Sequence, residues 1–270
     1  MTTSDTPDVP AGVGADVLYD CVDGHIAVIT LNRPDKRNAV NGAVAQALDH
    51  LVKRVESDPQ IRVAVLASSS PGVFSAGADL AEVSAGRGAQ LGTRDGGFAG
   101  FVDHPKVKPW IAAVTGAALA GGCELALACD MIVASDDARF GLPEVKRGLL
   151  AAAGGVHRLP RARPRAIALE LIATGEPLDV ARAHGFGLVN HVVPNDQVRA
   201  RAVALARAIA VNAPLSVRES LKLARLANEL SDGEMRERSR DAGRIVMTSE
   251  DAREGPLAFV QKRDPVWKGR

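Results

Sequence analysis

The chain has 270 residues, with 33 Lys+Arg against 32 Asp+Glu and a formal net charge of +1, so it lacks the basic footprint of a nucleic-acid binder. Aromatic residues make up only 3%, too few for base-stacking platforms, while 46% hydrophobic and 24% charged residues exclude wholesale disorder. No window approaches the uninterrupted apolar length of a membrane span, and Cys21, Cys123 and Cys129 form no Cys-x-x-Cys pair, so neither a disulfide framework nor a zinc site is expected.

Residues 1–14 are polar, contain Pro and Gly, lack an apolar leader core and are expected to be a flexible tail of a cytoplasmic protein. Val17–Val22 and Ile26–Leu31 read as strands joined at Asp23-Gly24, a hairpin signal. Asn41 is suited to cap a helix whose Val44, Leu48, Leu51, Val52 and Val55 share one face, and Asp58-Pro59 stops it. Val63–Ala67 is continuously apolar, as in a strand covered on both sides. Residues 83–102 are rich in Gly, Ala and polar residues with little periodicity, which predicts a mobile helical segment or a loop bordering a site. Ile111–Val114 then reads as strand, a helix opens near Gly122, and Met131–Ala134 reads as strand, an alternation that predicts an α/β fold. From Pro164 the pattern turns helical, with a stop at Gly175 and helices expected over 198–211, 215–230 and 232–247. The division is a tail over 1–14, a β/α core over 15–195 and a helical region over 196–270.

Generic catalytic motifs mostly fail. In Gly72-Val73-Phe74-Ser75-Ala76-Gly77 the first glycine is three residues before the serine, one too many for a nucleophile elbow. There is no Walker A sequence and no Gly-x-Gly-x-x-Gly, and neither His157 nor His191 has a catalytic context. Three segments remain. Phe74–Leu80 follows a predicted strand, is built of small residues and places Asp79 where a helix starts. Ala120–Leu125 again opens a helix, whose free N–H groups suit a developing oxyanion. Phe140–Glu144 sets a second carboxylate, Glu144, after another strand; alone it reads as a solvated loop residue.

Taken in order, Leu31-Asn32-Arg33-Pro34, Asn38-Ala39, Ser75–Leu80, Gly121–Leu125, Phe140–Glu144 and Gly154-Gly155 resemble the enoyl-CoA hydratase/isomerase (crotonase) superfamily. Residues 249–255 and 259–263 resemble that family's tail, so the likeness covers about 15–265. It implies a spiral of ββα units with a helical C-terminal trimerisation region, homotrimers or homohexamers, and an acyl-CoA thioester as substrate. It implies no metal and no separate cofactor, since coenzyme A belongs to the substrate. By the same likeness Ala78 and Gly121 supply an oxyanion hole, and Glu124 and Glu144 are the catalytic pair, Glu124 acting on water and Glu144 on the Cα proton. Arg33, Ala39, Ala76, Asp79, Leu80, Gly122, Phe259 and Lys262 are implied to bind the substrate, with Lys262 and nearby basic residues reaching the coenzyme A phosphates from a neighbouring subunit. The implied reaction is hydration of a trans-2-enoyl-CoA to a 3-hydroxyacyl-CoA, the lyase step of fatty-acid β-oxidation.

The sequence departs from the family pattern at Ala120 in the glycine triplet, at Ala81 where many hydratases carry Lys, and across Ala151–Val156. The 151–156 turn, with Val145-Lys146-Arg147-Gly148 after Glu144, resembles the divergent hydratase and carnitinyl-CoA dehydratase-like branches, so dehydration of a polar acyl-CoA stands as an alternative, beside isomerisation and non-catalytic acyl-CoA binding.

Overall fold

The computed structural model describes residues 14–162 and 164–270; apart from Gly14, the expected tail lies outside them. Strands β1 (Val17–Val22) and β2 (Ile26–Leu31) pair antiparallel, and both Asp23 and Gly24 take left-handed φ in the turn between them. Helix α1 (Gly42–Ser57) starts where Asn41 Oδ1 accepts the Val44 N–H at 2.9 Å, and it ends at Asp58. Next come β3 (Val63–Ser68), β4 (Val73–Ser75), α2 (Leu80–Ser84), the short hairpin strands β5 (Gly92–Thr93) and β6 (Gly97–Phe98), β7 (Trp110–Val114), β8 (Ala117–Leu119) and α3 (Gly121–Leu127). Then follow β9 (Met131–Ser135), β10 (Arg139–Gly141), a 3-10 turn at Pro143–Arg147, α4 (Gly155–Ala162) and α5 (Arg165–Thr174). The chain continues through β11 (Leu178–Asp179), α6 (Val180–Gly185), β12 (His191–Val193), α7 (Val198–Ala210), α8 (Pro214–Leu226), α9 (Asp232–Met247) and α10 (Asp251–Gln261).

From β3 to β10 the strands alternate between two mixed sheets, with the β5–β6 hairpin standing apart. One has six strands in the order β1-β2-β3-β7-β9-β12, and the other has four in the order β11-β10-β8-β4. Each turn of the chain lays one strand in the large sheet and one in the small sheet before a helical segment: β3-β4-α2, β7-β8-α3, β9-β10 and the 3-10 turn. This is the ββα spiral implied by the sequence. Because β4, β8 and β10 run parallel, the three segments that follow them leave from the same end of the small sheet.

The large sheet is covered on both faces, which is why its strands are continuously apolar. Ala27, Ile29, Ala64, Leu66, Ala112 and Ile132 point into a core shared with α1 and the small sheet. Their alternate neighbours Ile26, Val28, Val63, Val65, Ile111 and Val133 meet Val198, Ala202, Val203 and Ala206 of α7. The helical region thus opens on a helix that closes the core. Beyond it α8 has no fully buried residue, and Met247, Phe259, Val260 and Val266 are exposed. Residues 83–102, expected to be a loop or a mobile helix, contain the end of α2, a 3-10 turn and the β5–β6 hairpin. No single helix among the described residues is long and apolar enough to cross a membrane.

Candidate active site

The segment after β4 is pinned from below. Ser75 Oγ donates to Asn38 O at 2.8 Å and accepts the Gly77 N–H, which explains a buried serine without a base beside it. Val40 N–H donates to Gly77 O and Asp79 N–H to Val40 O, so the chain around Ala78 is paired on one side as in a parallel bridge. Asn38 is the hub: fully buried at a left-handed φ of 51°, it accepts from Arg33 N–H and donates to Ser68 Oγ and Phe74 O. Few side chains tolerate that backbone conformation, and Asn is one of them. The Asn38-Ala39 pair entered the sequence reading only as a family likeness; its positive φ left no signal there.

Gly77 (φ 86°) lies flat against the start of α3: a Cβ on it would sit 2.6 Å from Gly121 N. The structure therefore brings Ala78, next in the chain, and Gly121 together. Neither backbone N–H has an acceptor among the described hydrogen bonds, and Ala78 is half-buried. Gly122 has no room for a side chain, because its Cβ would run into the Ser75 carbonyl. Ala120, which precedes the helix, is held at φ 51°, ψ −129°, a region that favours glycine. Ala120→Gly should relieve this strain and raise stability by about 1 kcal/mol, read as an upward shift of a few degrees in Tm.

Glu124, one turn into α3, is only 3% exposed, and its Oε1 accepts the Gly155 N–H at 2.8 Å from the first residue of α4. Burial pushes its carboxyl up to about 7, against the lowering effect of the Gly155 bond, and the charge of Glu144 pushes the same way as burial. Glu144, in the 3-10 turn, is also buried, which raises its carboxyl above the usual range. Its Oε2 is buried with no hydrogen-bond partner, the one such side-chain oxygen among the described residues. An unsatisfied buried carboxylate oxygen beside a second, protonatable carboxylate is costly for stability and suited to proton transfer.

Folded Glu124 holds its proton more tightly than an unfolded glutamate does. Its contribution is therefore most favourable at low pH and is lost as pH rises from about 4.5 to about 7. Glu124→Gln keeps an acceptor for Gly155 and removes the buried charge. It should melt like the parent near pH 4 and higher than the parent at pH 8, by an amount on the order of 3 kcal/mol.

The remaining expected site residues divide. Arg33 is committed to Ala39 O at 2.6 Å and to ion pairs with Asp79 and Asp16. Asp79 also caps α2, so Arg33, Ala39 and Asp79 together clamp the Ala78 segment. Ala76 N–H is held by Arg37 O, and Leu80 is half exposed at the start of α2. Phe259, 85% exposed, lies on α10 and Lys262 directly follows that helix, and no described hydrogen bond or ion pair brings them to the Gly121–Glu124 group. Gly155, which anchors Glu124, was read from sequence only as a motif residue. Arg158, whose guanidinium donates to Ala153 O and Val102 O, was missed. No cluster of three or more metal-ligating side chains exists among the described residues.

Two sheets wound by ββα units thus set the Gly77-Ala78 segment against the start of α3, with buried carboxyls at Glu124 on that helix and at Glu144 in the 3-10 turn. The family model described as Enoyl-CoA hydratase/isomerase matches residues 22–270, and the chain belongs to that family, the crotonases. It is 41% identical over 253 residues to a carnitinyl-CoA dehydratase of Escherichia coli (strain K12), covering 92% of this chain and 96% of that one. Among solved structures it resembles an enoyl-CoA hydratase from Mycobacterium tuberculosis H37Rv, with TM-score 0.91, 41% identity, and 95% of this chain and 100% of that chain covered. It also resembles a carnitinyl-CoA hydratase from Mycobacterium avium, with TM-score 0.76, 45% identity, and 95% and 100% of the two chains covered. The protein is a hydro-lyase of the crotonase family that acts on an acyl-CoA.

Proposed function

We propose that the protein interconverts a 3-hydroxyacyl-CoA and its 2,3-unsaturated partner, with a polar acyl group of the carnitinyl type as substrate. The observation that carries this reading is the 41% identity to carnitinyl-CoA dehydratase in a chain that keeps both buried carboxyls. The plain trans-2-enoyl-CoA hydratase expected first from sequence is the second reading, supported by the likeness to enoyl-CoA hydratase structures.

In the proposed site the thioester oxygen accepts from the Ala78 and Gly121 N–H groups. Removing the Cα proton pushes charge onto that oxygen, and each preorganised donor lowers the barrier by about 3–4 kcal/mol. Glu144, through its unpartnered Oε2, takes the Cα proton. Glu124, protonated at or below about pH 7, gives its proton to the departing Cβ hydroxyl, which leaves as water. In the hydration direction Glu124 accepts a proton from water as it adds to Cβ, and Glu144 delivers one to Cα. A carboxyl near 7 serves both directions at neutral pH.

The exposed apolar residues of α9 and α10 support assembly with further copies of the chain, which would bring Phe259 and Lys262 toward a neighbour's site. The substrate assignment is tested by comparing kcat/KM for carnitinyl-CoA and 3-hydroxybutyryl-CoA, which share the four-carbon acyl chain and differ in the γ-trimethylammonium group. The proposal expects a preference of about tenfold or more for carnitinyl-CoA. A preference for the neutral substrate moves the assignment to the plain hydratase, and turnover of neither contradicts both.

A further inference from the structure

We infer that Phe98 sets which acyl groups fit beside the Gly121 amide, and that α1 and α4 hold it there through Asp49 and Arg158. This rests on the acyl-CoA reading of the site. The Phe98 ring occupies the place where a side chain on residue 121 would begin: a Cβ built on Gly121 would lie 2.5 Å from its Cε1 and 2.6 Å from its Cζ. The ring is half-buried, whereas Ala99, Phe101 and Val102, which follow it, are fully buried. The segment thus leaves one apolar side chain partly open to solvent, against the peptide that donates to the thioester oxygen in the proposed site.

The segment carrying Phe98 is fixed at both ends. On one side the buried Asp49 Oδ1 accepts from Thr93 Oγ1 at 2.6 Å and from His104 Nε2 at 3.2 Å, while Lys53 pairs with its Oδ2 at 2.8 Å. Thr93 Oγ1 in turn accepts the Gly96 N–H, and Gly100 lies so close to Ala45 and Asp49 that a Cβ there would strike α1. On the other side Arg158 Nη2 donates to Val102 O at 2.7 Å and Nη1 to Ala153 O at 2.9 Å. One guanidinium therefore joins the Phe98 segment to the turn whose Gly155 N–H holds Glu124. A ring fixed in this way limits bulk on its side of the thioester and favours compact acyl groups.

The test measures Kd by calorimetry for CoA, butyryl-CoA and octanoyl-CoA, which lack the unsaturation and hydroxyl needed for turnover. Phe98→Ala and the milder Phe98→Leu should lower the octanoyl-to-butyryl Kd ratio, by about tenfold for Ala, and leave the Kd for CoA unchanged. Thr93→Val, which breaks the tie to Asp49 without reaching the acyl group, should lower the ratio in part, and Thr93→Ser should restore it. Phe98→Leu is the arbiter if the Ala variant does not fold. An unchanged ratio in a folded Phe98 variant, with wild type binding both thioesters more tightly than CoA, overturns this inference alone. A wild type that binds neither thioester more tightly than CoA overturns the acyl-CoA reading and the inference with it.

Discussion

Glu144→Gln should lower kcat by about 10²–10⁴-fold while leaving KM within a few-fold and the fold intact. The expected loss is large because Glu144 Oε2 is the one buried side-chain oxygen without a partner among the described residues, and an amide in its place cannot carry a proton to and from Cα. The same substitution predicts a second, finer effect. The charge of Glu144 helps to raise Glu124, so neutralising it should move Glu124 below its value of about 7. Hydration needs Glu124 ionised, so its rate should rise with pH on a limb near 7 in the parent, and that limb should shift to lower pH in the residual activity of the variant. Steady-state rates between about pH 5 and pH 9 for parent, Glu144→Gln and Glu124→Gln check both effects. A limb that stays at the same pH in Glu124→Gln would assign it to another group.

Gly77→Ala should cost about 10²–10³-fold in kcat, comparable to the loss of one oxyanion donor. At φ 86° an L side chain is strained by about 1–2 kcal/mol, and its methyl group would begin 2.6 Å from Gly121 N. The start of α3 or the Ala78 segment must then shift, and either movement spoils the alignment of two amides that work only when aimed at one point. Rates on the preferred substrate, with a thermal melt to show that the protein is folded, separate this from general destabilisation. A folded Gly77→Ala variant with parental kcat would remove the Ala78–Gly121 pair from the mechanism.

Much of this geometry was legible in the chain. The Asp23-Gly24 hairpin, the Asn41 cap, the stop at Gly175 and the helix over 232–247 each follow from local chemistry, and the structure places them where that chemistry puts them. The small sheet was not legible, because β4, β8 and β10 are three residues each and built partly of Ser, Ala and Gly, too short for alternation to register. Helix α10 was not among the expected helices, and it contains Gly255 and Pro256, residues that weaken a helix interior. Glu124 and Glu144 were singled out from motif likeness. Their burial and the Gly155 anchor depend on contacts between α3, the 3-10 turn and α4, which no local pattern encodes. The hub role of Asn38 was hidden for the same reason, and Phe98 and Arg158 escaped altogether, since each acts through partners far away in sequence.

The most direct measurement follows atoms instead of rates. Incubating the protein with the unsaturated four-carbon trimethylammonium acyl-CoA in doubly labelled water, with heavy oxygen and deuterium, should yield a product with heavy oxygen on Cβ and one deuterium on Cα. The Glu124→Gln, Glu144→Gln double variant should yield neither label above background. A product with a displaced double bond and no heavy oxygen, or full labelling by the double variant, would contradict water addition by this pair of carboxyls.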